Sequence, residues 1–397
     1  MTVMNAVWKR RRIIGVAVGA SLATLVALGP RVRFEEAWVE PELPRDLDRY
    51  LVAAEARVQG IRDGDERGLV WADPERRDPT PLSIVYLHGF SADRHEIEPV
   101  VSELGSALGA NVYFARLRGH GRDPAAMAEA TVEDWLADAS EALAIGGRIG
   151  RRVVVMGTST GATLATWLAT RPEARDRLAA LVLLSPNFQP KDRSARVLLY
   201  PWGGWIARLA VGGERCFAPE NERQERHWTT CYPTSALSTM MALVEHVRTM
   251  DLSGIDVPTL VLYAPDDGVV DAAETERVVA SMTGTDPELR IVGRVSDPAR
   301  HVLAGDIVSP SSNAEVLDRV KRFLLDRPRG RLGPPTVNPP WALEPSAAAD
   351  RTMGVHARAG RPSGTTWPPR RSAPRNAPRS ADRGRSRGAG RTSPGSP

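Results

Sequence analysis

A chain of 397 residues with 42% hydrophobic content can bury a large core, which excludes a wholly disordered protein or a small disulfide scaffold. The net charge of +4 is unevenly spread, with about +6 on the first 33 residues, about +11 on the last 71 and about −13 on the body between. The basic balance belongs to the ends, so the core is not expected to bind nucleic acid.

Residues 1–33 read as a signal anchor. Lys9–Arg12 form a basic cluster, and 13–29 follow without charge over about 17 residues, the lower limit for crossing a bilayer. Basic residues stay inside, so the rest of the chain is expected outside the cytoplasm. Pro30 follows Ala27-Leu28-Gly29 and disfavours cleavage there, so anchoring to the membrane through residues 13–29 is favoured over secretion after signal cleavage.

Residues 34–326 form the main domain. Asp46–Gly60 carry apolar residues at helical intervals and a glycine stop, and are read as a surface helix. A short strand, Gly68–Ala72, precedes a buried strand, Leu82–Leu87, that ends in His88-Gly89-Phe90-Ser91. Strands and helices then alternate: helix 93–108, strand 111–117, helix 131–145, strand 152–156, a helix from Ala162, and strand 179–184. Such alternation predicts a parallel sheet with helices on both faces.

The centre of this pattern is Gly157-Thr158-Ser159-Thr160-Gly161, at a strand-to-helix junction. GxSxG alone is a weak signal, but this setting is the one in which glycines let a strained serine project its hydroxyl. The helix that follows points its N-terminal N–H groups at any oxyanion above the serine. Gly89 would let the Phe90 N–H face the serine, and with the Thr160 N–H it would form an oxyanion hole. His88, at a strand terminus, reads as a locally bonded histidine rather than a base, and His120, in Arg116-Leu117-Arg118-Gly119-His120-Gly121, as a structural one.

Residues 186–255 interrupt the alternation with helix-like pieces rich in aromatics, including Trp202, Trp205, Trp228 and Tyr232. An insertion here would cap the carboxyl ends of the strands; its aromatics form either its own small core or an apolar substrate groove. Cys216 and Cys231 are the only cysteines. In an oxidising compartment they could bridge and restrain the cap, or remain buried free thiols. Strand 258–263 then leads to Asp266-Asp267, and strand 289–295 to His301. The order Ser159, Asp267, His301, each just past a strand, is that of a hydrolase triad.

These residues carry a resemblance over about 80–325: HGFS at 88–91, RLRGHG at 116–121, GTSTG at 157–161, PDDGVV at 265–270 and HVLAGD at 301–306. The chain resembles serine α/β hydrolases of the monoacylglycerol lipase and carboxylesterase branch. Ala264 and Ala162 stand where relatives carry glycine, both small changes. The resemblance implies an α/β-hydrolase fold with a mostly parallel central sheet and a helical cap, and selects Asp267 over Asp266 as the acid. It implies ester cleavage: His301 takes the proton of Ser159, Asp267 supports the imidazolium, and water releases the acyl-enzyme. An acyltransferase or thioesterase on the same fold, or a non-catalytic hydrolase-like binding protein, are the alternatives. No HExxH, CxxC or P-loop occurs, so neither metal nor cofactor is expected. Residues 327–397, rich in Pro, Arg, Gly and Ser, read as a disordered basic tail.

Overall fold

The structure, a computed structural model, describes residues 2–326; the basic tail 327–397 lies outside the described residues. In chain order the elements are α1 (Thr2–Ala27), α2 (Leu47–Glu55), β1 (Gly68–Val70), β2 (Thr80–Leu87), α3 (Val100–Leu108), β3 (Asn111–Phe114) and α4 (Val132–Ile149). They continue with β4 (Gly150–Thr158), α5 (Thr160–Ala169), α6 (Pro172–Arg175), β5 (Leu178–Leu184), α7 (Gly203–Val211), β6 (Glu214–Cys216), α8 (Glu222–His227) and β7 (Cys231–Pro233). The last are α9 (Ala236–Thr249), β8 (Thr259–Tyr263), α10 (Ala272–Val279), β9 (Glu288–Ile291) and α11 (Asn313–Leu325).

Seven strands form one sheet in the order β1-β3-β2-β4-β5-β8-β9, in which β1 pairs antiparallel and the others parallel. The central strands are apolar on both sides because both faces are covered. Val85, Leu87, Val153, Val155, Leu181 and Leu183 point to the layer containing α4, α5 and α9. Their alternates Ile84, Tyr86, Val154, Met156, Val182 and Leu184 point to α3 and α11. The fold is that of an α/β hydrolase.

Local chemistry fixes the helix starts. Thr131 and Asp134 form a reciprocal capping box at α4, which satisfies two otherwise orphaned N–H groups. Trp135, Leu136, Leu143 and Ile145 then bury one face of α4 almost completely, each such side chain contributing about 1.5–3 kcal/mol. β9 ends at Ile291 and β3 at Phe114, earlier than the hydropathy pattern suggests, because those apolar runs continue into loops leading to the site.

The insertion between β5 and β8 contains more than helical pieces. β6 and β7 pair antiparallel with Cys216 opposite Cys231, and a disulfide joins the two. The insertion touches loops at the carboxyl ends of the parallel strands: Thr229 N–H donates to Ser91 O at 2.7 Å, Lys191 N–H to Val269 O at 2.8 Å, and Asn221 Nδ2 to Ile307 O at 2.8 Å. α9 belongs instead to the layer covering the sheet, where Met241, Leu243, Val244 and Val247 are buried.

The reading of residues 13–29 as a membrane anchor is corrected. Among the described residues no helix is long and apolar enough to cross a membrane. α1 ends at Ala27 and carries Lys9–Arg12 within it. Its uncharged part, from Ile13, therefore runs about 22 Å at 1.5 Å per residue, against a hydrocarbon core of about 30 Å. Gly15, Gly19, Ser21 and Thr24 dilute its apolarity further. The end of the segment is fixed to the insertion, where Trp202 donates through Nε1 to Leu25 O at 3.0 Å and through its backbone N–H to Pro30 O at 2.9 Å. The membrane as a partner and the membrane-anchored localisation both rested on that anchor and fall with it. The chain after α1 straps the body: Trp38 stacks on Trp167, and Glu36 accepts from Trp167 Nε1 at 2.6 Å.

Candidate active site

β4 and α5 place Ser159 at a sharp turn with φ 52° and ψ −114°. Such a conformation costs a non-glycine residue on the order of 1–3 kcal/mol and needs surrounding structure to hold it. Ser159 N–H donates to Leu184 O at 2.9 Å, while its carbonyl accepts from Thr163 N at 3.1 Å and Asn187 N at 3.2 Å. The flanking glycines are required sterically. A Cβ on Gly157 would lie 2.5 Å from the Gly161 carbonyl, and one on Gly161 would lie 2.0 Å from Leu87 O. The turn and the end of β2 thus touch backbone to backbone, which brings the HGF loop beside the serine: a Cβ on Gly89 would sit 3.4 Å from Ser159 Cβ.

The loop after β8 presents Asp267, almost fully buried. Its Oδ1 accepts from the N–H groups of Val269 and Val270 at 2.7 and 2.9 Å, which leaves Oδ2 to meet His301 Nδ1 at 2.9 Å. Asp266, one residue earlier, faces solvent and accepts from Arg300 Nε at 2.6 Å. With Nδ1 committed to Asp267, Nε2 is the His301 nitrogen left to move a proton. Burial alone would lower the His301 pKa, but the Asp267 carboxylate, with Asp297 and Glu96 near, outweighs it and the net shift is upward.

Phe90 follows β2 and Thr160 opens α5; neither backbone N–H donates to another described residue, so both remain available. His88 is buried with both nitrogens engaged, Nδ1 with Gly89 O at 2.9 Å and Nε2 with Leu117 N–H at 3.0 Å. Burial holds its pKa down at about 4, so it is no proton acceptor at neutral pH. His120 packs beside it with ring centres 4.9 Å apart and is also fully buried.

Two supporting residues escaped the sequence reading. Asp297 Oδ2 accepts from the N–H groups of His301 and Val302, both at 2.8 Å, and so fixes the histidine loop. Glu96 lies under the HGF loop, where Oε1 accepts from Gly89 N–H at 2.6 Å and Tyr86 Oη at 2.7 Å. Burial raises its pKa to about 8 despite those donors. Neither is part of a short motif; only Asp297, four residues before His301, carried a positional hint.

Fold and turn define a serine hydrolase of the α/β class. Residues 79–303 match the Hydrolase_4 family, described as serine aminopeptidase, S33, and the chain belongs to that family. The thermostable monoacylglycerol lipase of Bacillus sp. (strain H-257) is 25% identical over 219 residues, covering 55% of this chain and 83% of the relative. A solved structure from work on the metagenome-derived lipolytic enzymes LipS and LipT superposes with a TM-score of 0.55 at 18% identity, covering 67% of this chain and 100% of the other. The protein is thus a serine hydrolase of this family, similar to lipases and esterases.

Proposed function

We propose that Ser159 attacks the carbonyl carbon of a carboxylic ester while His301 Nε2 takes its proton, and that the resulting acyl-enzyme is released by water. Asp267 holds the imidazole in the tautomer that leaves Nε2 free and supports the imidazolium once it forms. The N–H groups of Phe90 and Thr160 receive the oxyanion, helped by the positive end of α5. The observation that carries this reading is the strained, glycine-flanked Ser159 on the same sheet edge as an Asp267–His301 pair bonded at 2.9 Å. Monoacylglycerols are the substrate class suggested by the Bacillus relative. Fluorophosphonate labelling followed by a chain-length series of p-nitrophenyl and monoacylglycerol esters tests it. Ser159→Ala should abolish labelling and lower turnover by several orders of magnitude with the fold intact; full activity in that variant would sink the assignment.

A further inference from the structure

Beneath the insertion, and apart from Ser159, four side chains from three stretches of chain converge. Asp65 comes from the loop between α2 and β1, Asp93 and His95 from the loop after β2, and His227 from the end of α8. One ligand atom from each lies within 4.8 Å of the others. His227 Nδ1 stands 2.9 Å from Asp65 Oδ1 and 3.1 Å from Asp93 Oδ2. His95 Nδ1 stands 3.0 Å from Asp93 Oδ1 and 3.8 Å from Asp65 Oδ1. Asp65 and Asp93 are almost completely buried, His227 is nearly so, and the His95 side chain keeps 24% exposure.

With Asp65 Oδ1 and Asp93 Oδ2 as the ligand oxygens, the separations His227 Nδ1–Asp65 Oδ1, His227 Nδ1–Asp93 Oδ2 and His95 Nδ1–Asp65 Oδ1 of 2.9, 3.1 and 3.8 Å bracket those of a coordination shell. Ligands on a tetrahedral zinc ion at about 2.0–2.1 Å lie about 3.3 Å from one another. Hydrogen bonding alone serves the cluster weakly, because the single proton that His227 Nδ1 can carry must be shared between two carboxylates. Two buried carboxylates also need compensating charge; Arg62 supplies part of it at Asp65 Oδ2, and a divalent cation would supply more where the two carboxylates meet. The outer atoms are already held: Arg62 Nε binds Asp65 Oδ2 at 2.6 Å, and His95 N–H donates to Asp93 Oδ1 at 2.7 Å. Partners of this kind orient ligands in metal sites.

We propose that Asp65, Asp93, His95 and His227 bind one divalent transition-metal ion, zinc by the two-nitrogen, two-oxygen donor set. Four protein ligands fill a tetrahedral shell, so the site is structural: it fastens α8 of the insertion to the loop that follows Phe90. His95, with 24% of its side chain exposed, marks the side from which an ion would enter.

The test uses the purified full chain, stripped with a chelator and titrated with Zn²⁺ by calorimetry and with Co²⁺ by visible absorption. The expected result is one ion per chain, a Co²⁺ spectrum with the intense bands of tetrahedral geometry, and a Tm raised by zinc. His95→Ala and His227→Gln should each weaken Zn²⁺ binding by about 100-fold or more, since loss of an outer partner alone costs about 10–100-fold. His246→Gln, whose imidazole pairs with Glu36 away from the cluster, should bind as wild type. Should His227→Gln fail to fold, His95→Ala at the rim decides the matter. No saturable site in the stripped wild type, or undiminished binding in His95→Ala, would overturn the assignment.

Discussion

Replacing Glu96 by glutamine isolates the cost of keeping a carboxyl group under the HGF loop. The amide oxygen can still accept from Gly89 N–H and Tyr86 Oη, so the substitution removes the ionisation while keeping the shape. The folded pKa of about 8 lies above the ordinary value of 4.5. Between those values the unfolded chain releases the proton that the folded chain retains, so stability falls as pH rises. From pH 5 to pH 8 the linkage amounts to about 3 kcal/mol at its upper end. His301, whose pKa is also raised, contributes stability that is present below its unfolded pKa and lost as pH rises through the folded one; the Asp267 part of that loss is common to both proteins, and only the smaller Glu96 part differs between them. Urea unfolding of wild type and Glu96→Gln at pH 5, 6, 7 and 8 reads the effect directly. Wild type should lose about 3 kcal/mol more than the variant across the series, and parallel profiles would refute the reasoning.

Asp267→Asn should cost about 10³-fold or more in kcat, whereas Asp266→Asn, which loses only a solvent-facing contact with Arg300, should stay within about threefold; the reverse order would reassign the acid. Because His301 must be neutral to accept a proton and its pKa is raised, the acid limb of kcat/KM should lie above about 6.5 and move down in Asp267→Asn, as a pH–rate series would show. Gly161→Ala drives a Cβ to 2.0 Å from Leu87 O; it should cost about 1–3 kcal/mol in thermal unfolding and about 100-fold in kcat through displacement of the HGF loop. Replacing Cys216 and Cys231 together by serine opens a crosslink of sequence separation 15, and limited proteolysis should cut the insertion sooner, in keeping with about 3 kcal/mol of lost restraint.

The parallel sheet could be read from sequence because its central strands are buried on both faces and leave unbroken apolar runs. The serine turn was legible for a different reason, since the close approach of Leu87 O to Gly161 tolerates no side chain there and writes itself as glycine. Other features left no such trace. α1 reads as a membrane segment only if its apolar run is counted through Gly29; the helix stops two residues short of that, and Trp202 Nε1 takes the Leu25 carbonyl in its last turn. The β6–β7 pair was hidden because β6 is exposed throughout and the two strands are too short to show a period of two. Asp65, Asp93, His95 and His227 span some 160 positions and form no motif, so spacing predicts no metal where the fold assembles four ligand atoms.

The loop after β2 joins the site to the insertion. Its Phe90 ring makes edge contacts with Trp135 of α4 at 6.1 Å and with Tyr232 of β7 at 5.1 Å, each worth about 0.5–1.5 kcal/mol beyond burial. From below, Glu96 holds Gly89 N–H; from above, Thr229 N–H binds Ser91 O. The proposed oxyanion donor is therefore clamped between the sheet and the insertion. An insertion that shifted to admit a substrate would carry Tyr232 and Thr229 with it and pull on the residue whose N–H must face the reacting carbonyl. Entry and transition-state stabilisation thus share one loop, and fastening α8 to Asp93 and His95 sets how far that loop can follow.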